Sequence, residues 1–159
     1  MLILKWLLIV AVVLVVVAIV LGQMGLLQGT PPTDLGVRDG RLKPPSSTPN
    51  SVTSQAALYP SHPMRAKAEI APLPLRGDGR ATIAKIKDIV EAMPGARVIK
   101  SEPDYLYAQF TTRLMKYVDD TEFWFDPQAQ VVQVRSASRV GRGDWNVNRE
   151  RVEAIRARL

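Results

Sequence analysis

The chain of 159 residues contains no cysteine. Disulfides, thiolate zinc centres and thiol catalysis are thereby excluded, and any folded domain must be held by its core alone. Histidine occurs once, as His62 in "YPSHPMR". No G-x-S-x-G elbow offers it a serine, so it reads as a residue of a surface loop between prolines. Gly77-Asp78-Gly79 is not followed by Gly-Lys-Ser/Thr, and reads as a turn rather than a phosphate loop. Internal repeats and coiled-coil heptads are lacking as well. Acids are in deficit: 15 Asp and Glu stand against 21 Lys and Arg, for a net charge of +6.

What is present first is a long apolar run. From Leu2 to Leu21 the only polar side chain is Lys5. Twenty helical residues at about 1.5 Å each span roughly 30 Å, the thickness of a bilayer's hydrocarbon core. Lys5 lies one turn from the end, where its ammonium reaches the headgroups, and Trp6 suits the same interface. A cleaved signal peptide is the alternative, with Val20-Leu21-Gly22 as a loose cleavage site. The run exceeds the roughly 7 to 15 apolar residues of a signal core, and no polar stretch precedes the site. Residues 1–22 are therefore expected to be a retained single-pass anchor. Lys5 and the terminal amine lie on its short side, while the first basic residue beyond it is Arg38. This bias keeps the terminus in the cytoplasm and exports the rest. An exported basic domain meets little nucleic acid, so none is expected; anionic headgroups, cell-wall polymers or acidic proteins of the envelope are the fitting counter-charges.

Nine of the twelve prolines fall between Gly22 and Leu75. Residues 23–43 read as a Pro/Gly-rich tether. Beyond Met64 the pattern is globular. "AEIAPLPL", Ala68 to Leu75, suggests a first strand stopped by proline. Ala81 to Met93 carries Ile83, Ile86, Ile89, Val90 and Met93 at helical spacing, with charge on the other face and Pro94-Gly95 as the stop. Four strands follow: Ala96 to Ser101, Tyr105 to Thr112, Tyr117 to Phe125 and Val131 to Val140. The last two are joined at Asp126-Pro127-Gln128 as a hairpin. A final helix, about Asn148 to Arg158, buries Val152, Ile155 and Leu159. This pattern predicts an α+β domain, an antiparallel sheet of four to five strands with two helices on one face, preceded by the transmembrane helix.

Three blocks, "TPNSVTSQ" at Thr48 to Gln55, "YVDDTEF" at Tyr117 to Phe123 and "VRSASRVGRGDWNVNRERVEAIR" at Val134 to Arg156, resemble domain of unknown function 1499, a bacterial and plastid-lineage family. The resemblance covers roughly the last 115 residues. It implies that 44–159 is one domain and that the Pro-Asn block belongs to it. The localisation expected from the anchor and its charge bias is the bacterial inner (cytoplasmic) membrane, with the domain facing the periplasm or exterior. The resemblance implies no activity. Relatives often carry a cysteine where Ser51 stands, so here that segment must be held by packing and hydrogen bonds.

Candidate chemistry is confined to two places. Placing Phe123 and Phe125 against Val132 and Val134 sets Asp120 and Glu122 on the face of Arg135 and Arg139. The reading favoured is a structural ion pairing of Asp120 and Glu122 with Arg135. The alternative is a hydrolase or transferase in which Asp120 and Glu122 bind a hard cation or act as acid and base. Asp119 points to the opposite face and cannot join them. The second place is the glycine turn before the last helix. There Arg139 and Arg142, with no acid opposite, and Asn146 and Asn148 at a helix N-terminus are candidates for an anion or a protein partner. No metal or cofactor is expected. The function read from the sequence is a non-catalytic, membrane-anchored envelope module.

Overall fold

The computed structural model describes residues 2–159. Helix α1 spans Leu2–Gln23 and is long and apolar enough to cross a membrane, none of its spanning window being buried against the domain. Its last turn is docked nonetheless. Gly22 packs on the backbone of Met115, where a Cβ would stand 2.6 Å from the Met115 carbonyl oxygen. The Gln23 amide donates to the carbonyls of Arg113 (3.3 Å) and Leu114 (2.8 Å).

The domain is a five-stranded antiparallel sheet in the order β1-β5-β4-β3-β2. Its strands are β1 (Ser51–Thr53), β2 (Ala96–Ser101), β3 (Tyr105–Thr111), β4 (Val118–Asp126) and β5 (Val131–Ser138). Alternation decides what each face buries. Leu106, Ala108 and Phe110 of β3, Phe123 of β4, and Val132 and Val134 of β5 face inward. Helices α3 (Gly79–Glu91) and α4 (Val147–Arg158) close the core over them with Ile83, Ile86, Val90, Val152 and Ile155. The expected α+β layer is therefore present. Asp78 caps α3, its carboxylate accepting from the Ala81 amide at 2.7 Å. Gly79 is required by contact, because a Cβ there would enter the Phe125 ring.

Two expectations are corrected. Residues 68–75 do not form a strand. A single turn, α2 (Arg65–Ala68), precedes an extended run that touches the sheet through isolated bridges, Glu69 with Thr53 and Leu73 with Val132. Pro72 and Pro74 flank Leu73 and have no N–H to donate, so pairing cannot extend past it. The outer strand beside β5 is instead β1, from the Pro-Asn block, with Val52 opposite Ser136. Ser51 holds that block by hydrogen bonding, its Oγ accepting from the Ser46 amide at 2.8 Å.

The second correction concerns residues 34–43, expected as free tether. They form a strap over the outer face of the sheet. Arg38 and Arg41 exchange both backbone hydrogen bonds around Asp39-Gly40, whose φ values of 51° and 69° mark a tight hairpin turn. Leu42 is buried, its amide donating to Gln55 Oε1 at 2.8 Å. Gly36 donates its amide to Glu122 Oε1 at 2.7 Å. Apolar burial and satisfied backbone groups decide that this segment is ordered.

Candidate functional site

The β4–β5 hairpin carries polar side chains on both faces, and they form two separate networks. On the inner face Asp119 points toward α4. Arg151 donates to Asp119 Oδ2 at 2.6 Å and to Asn148 Oδ1 at 2.7 Å, with its guanidinium 4.4 Å from the Phe110 ring centre. Ser136 joins Thr121 (2.7 Å) to Asn148 (2.6 Å). Asn148 also donates to Asp144 Oδ2 (2.8 Å), to Ser138 Oγ (3.0 Å) and to the Asn50 carbonyl (3.3 Å). Asn50 in turn donates to the Gly141 carbonyl at 3.0 Å. All three sequence blocks thus meet in one buried network, which ties the Pro-Asn segment to the glycine turn.

That network occupies the place where an external anion was expected. Asp144 accepts from the amides of Asn146 (3.1 Å) and Asn148 (3.1 Å), so the N-terminus of α4 already holds a carboxylate of its own chain. Asn148 is buried within the fold rather than offered to a ligand. Asn146 adopts φ 68° and its side chain makes no capping bond. Arg142 is exposed and, among the described residues, forms no ion pair.

On the outer face the expected pairing of Asp120 with Arg135 is replaced by another. Arg139 donates Nε to Asp120 Oδ2 (2.8 Å) and Nη2 to Oδ1 (2.7 Å), a two-pronged bond between side chains that are 5% and 4% exposed. The cause lies in the register. Ala137 stands directly opposite Asp120, and its small side chain leaves room for Arg139 to fold back along the diagonal. Arg139 is therefore not a spare cation; its bond to Asp120 pushes its pKa above the ordinary value despite burial. Tyr107 completes the group, its hydroxyl donating to Asp120 Oδ1 at 2.6 Å.

Glu122 and Arg135 do stand opposite each other in the register, but no direct bond joins them. Glu122 is fully buried. Its Oε1 accepts from Tyr105 (2.8 Å) and Gly36, while Oε2 has no partner. Burial raises its pKa above the ordinary carboxylate value, against the opposing effects of the Gly36 amide, Tyr105 and Arg135. Burial also raises the Tyr105 phenol, with the nearby Glu122 adding to the shift. Arg135 turns toward the strap, its Nε donating to the Pro44 carbonyl at 3.1 Å. Among the described residues no group of three or more His, Cys, Asp or Glu is placed to hold a metal ion.

Sequence reasoning missed Arg151 and the strap. Arg151 precedes Val152 of the buried stripe and lies one turn after Asn148, a position whose long side chain could have been traced to the inward Asp119. The Asp39-Gly40 turn was the available signal for the strap.

The architecture defines an antiparallel α+β domain carried behind a helix of membrane-spanning length, with its polar residues concentrated on one hairpin. The chain belongs to the family described as Protein of unknown function (DUF1499), whose model matches residues 41–159. Neither a curated protein nor a solved structure matches it.

Proposed function

We propose that this chain is a non-catalytic, single-pass envelope protein of the bacterial inner membrane, its terminus cytoplasmic and its domain held against the outer leaflet of that bilayer. The observation that carries this reading is the docked end of α1. Gly22 and Gln23 make fitted contacts to residues 113–115, and a leader removed by peptidase would need none of them. The loop that receives them, between β3 and β4, leaves the same end of the sheet as the loop after β5, because Val118 pairs with Thr111 and Asp119 with Ser138. That rim exposes Leu114, Trp145 (94% exposed) and Val147, along with the basic Arg113 and Arg142 and the half-buried Lys116. Such a mixture suits a headgroup layer.

The enzymatic alternative is disfavoured by burial. Asp120 borders a cleft but is committed to Arg139 and Tyr107, and Glu122 is sealed beneath Gly36, so neither carboxylate is free to act on a substrate. The test uses the full chain with Trp6 and Trp124 replaced by Phe, reconstituted in vesicles of phosphatidylglycerol and phosphatidylcholine. Lipids brominated near the headgroup should quench Trp145, and membranes washed at high salt should retain the protein. Unquenched Trp145 removes the seated rim, and release by salt removes the anchor.

A further inference from the structure

Between the outer face of the sheet and the strap lies a cleft of about 680 Å³. Its charged residues are Lys43, Arg135 and Arg139 against Asp34 and Asp120. Two of the cations are taken: Lys43 bonds to Asp34 at 2.6 Å and Arg139 to Asp120. The third is not. Arg135 is 4% exposed, yet no carboxylate oxygen lies within 4 Å of its guanidinium nitrogens. Its Nε is its only donor in use, and both Nη groups lack a partner among the described residues. The buried side-chain atoms sealed without a partner are Asn50 Oδ1 and Glu122 Oε2, so the Arg135 Nη groups are not closed off from the cleft they line.

A buried guanidinium is stable only when its hydrogen-bonding capacity is met, and a planar fork of N–H groups matches phosphate or carboxylate oxygens. Hydroxyls of Ser46, Ser47, Thr30 and Thr33 line the same cleft and add neutral donors, while prolines supply apolar wall. The volume exceeds that of a bare ion, which leaves room for an organic body behind the charged group. We propose that this cleft is a binding site for a phosphate ester, with the Nη groups of Arg135 gripping the phosphate oxygens. The site goes beyond the membrane reading and does not depend on it. Because Gly29, in the segment between α1 and the strap, packs against Arg139 and Val140 at the rim nearest α1, the ester comes either from a lipid headgroup or from solution.

The experiment uses the full chain throughout. In neutral detergent, thermal unfolding is followed against sodium chloride, inorganic phosphate and glycerol 3-phosphate at matched ionic strength. A parallel arm compares nanodiscs of phosphatidylglycerol with nanodiscs of phosphatidylcholine. A saturable rise of about 10 °C is expected at a hundredfold excess over Kd. It should be accompanied by movement of the Arg135 Nε–Hε resonance. A response to glycerol 3-phosphate in detergent assigns a soluble ester; a response confined to phosphatidylglycerol nanodiscs assigns the lipid. Arg135→Lys should weaken the response at least tenfold. Since a buried substitution can unfold the chain, Ser47→Glu serves as the second variant. It lies at an exposed position of the cleft lining and supplies a competing carboxylate, so it should abolish the response without lowering the starting Tm. The proposal is overturned if no arm exceeds the chloride control, or if Ser47→Glu responds as the wild type does.

Discussion

Removing Arg139 tests the outer-face network directly. The two-pronged bond to Asp120 joins side chains that are 5% and 4% exposed, with the Tyr107 hydroxyl on the same carboxylate. Arg139→Ala leaves that carboxylate buried with Tyr107 as its remaining side-chain donor. Breaking a buried pair from one side costs about 3–5 kcal/mol. The cleft beside it admits water, which favours the lower end, about 3 kcal/mol. At roughly 4 °C per kcal/mol for a domain of this size, Tm should fall by about 12 °C.

Asp120→Ala should cost a similar amount, because it strands the guanidinium instead. The double variant removes both charges together and should lose less than the sum of the two single losses, with a coupling of about 2 kcal/mol or more. The assay is urea or thermal unfolding of the full chain in detergent, followed by near-ultraviolet circular dichroism at low and high salt. A shielded pair should keep its coupling in salt, whereas an exposed one would lose it. If each single variant costs under about 1 kcal/mol and the two add, the pair is solvated and the strap does not cover this face. That result would refute the account of the outer network.

Two further outcomes follow from the buried groups. Burial holds the Glu122 pKa above its ordinary 4.5, so the folded protein keeps this proton at pH values where the unfolded chain has lost it. Stability should therefore fall as pH rises from about 4.5 through the folded pKa, and Glu122→Gln, which preserves an acceptor for Gly36 and Tyr105, should flatten that fall. An unchanged slope of urea midpoint against pH in the variant would disprove it. Asn148→Ala breaks bonds to Ser136, Arg151, Asp144 and Ser138 together and should cost about 3 kcal/mol or more, whereas Asn146→Gly, at φ 68° with no capping bond, should be neutral or stabilising. Equal losses on thermal unfolding would undo the distinction between the two asparagines.

The core was readable where residues alternate over a long span. Phe123 and Phe125 fall opposite Val134 and Val132, as the hairpin turn at Asp126-Pro127-Gln128 requires, and the helix stripes of Ile83 and Val152 follow their periods. Strand β1 was not readable as a strand, because three residues carry no period. The strap was hidden for another reason. Its order comes from a single buried leucine and from bonds to residues distant in the chain, such as Gln55 and Glu122, which local composition does not report. Register alone also misjudged Arg139. Direct opposition gave it no acid, whereas a long side chain beyond the strand end reaches the diagonal one.

The two networks together bear on which arginines are left for function. Asp119 and Asp120 are adjacent, so they project to opposite faces, and each is matched by an arginine from beyond the hairpin: Arg151 from α4 and Arg139 from the outgoing loop. The Asp-Asp pair thus clamps the hairpin to the segments on either side of it. Arg156 and Arg149 are likewise spent, on the carbonyls of Pro72, Ala71, Lys67 and Glu69. These bonds explain why the last block is rich in arginine without invoking any ligand. Arg135 falls outside this scheme. It is the buried arginine whose opposite residue, Glu122, is held by other donors, and whose own Nη groups face a cleft. That the fold satisfies its other buried arginines within the chain, and leaves the Nη groups of this one facing a cleft, is what supports the proposed phosphate-ester site at Arg135.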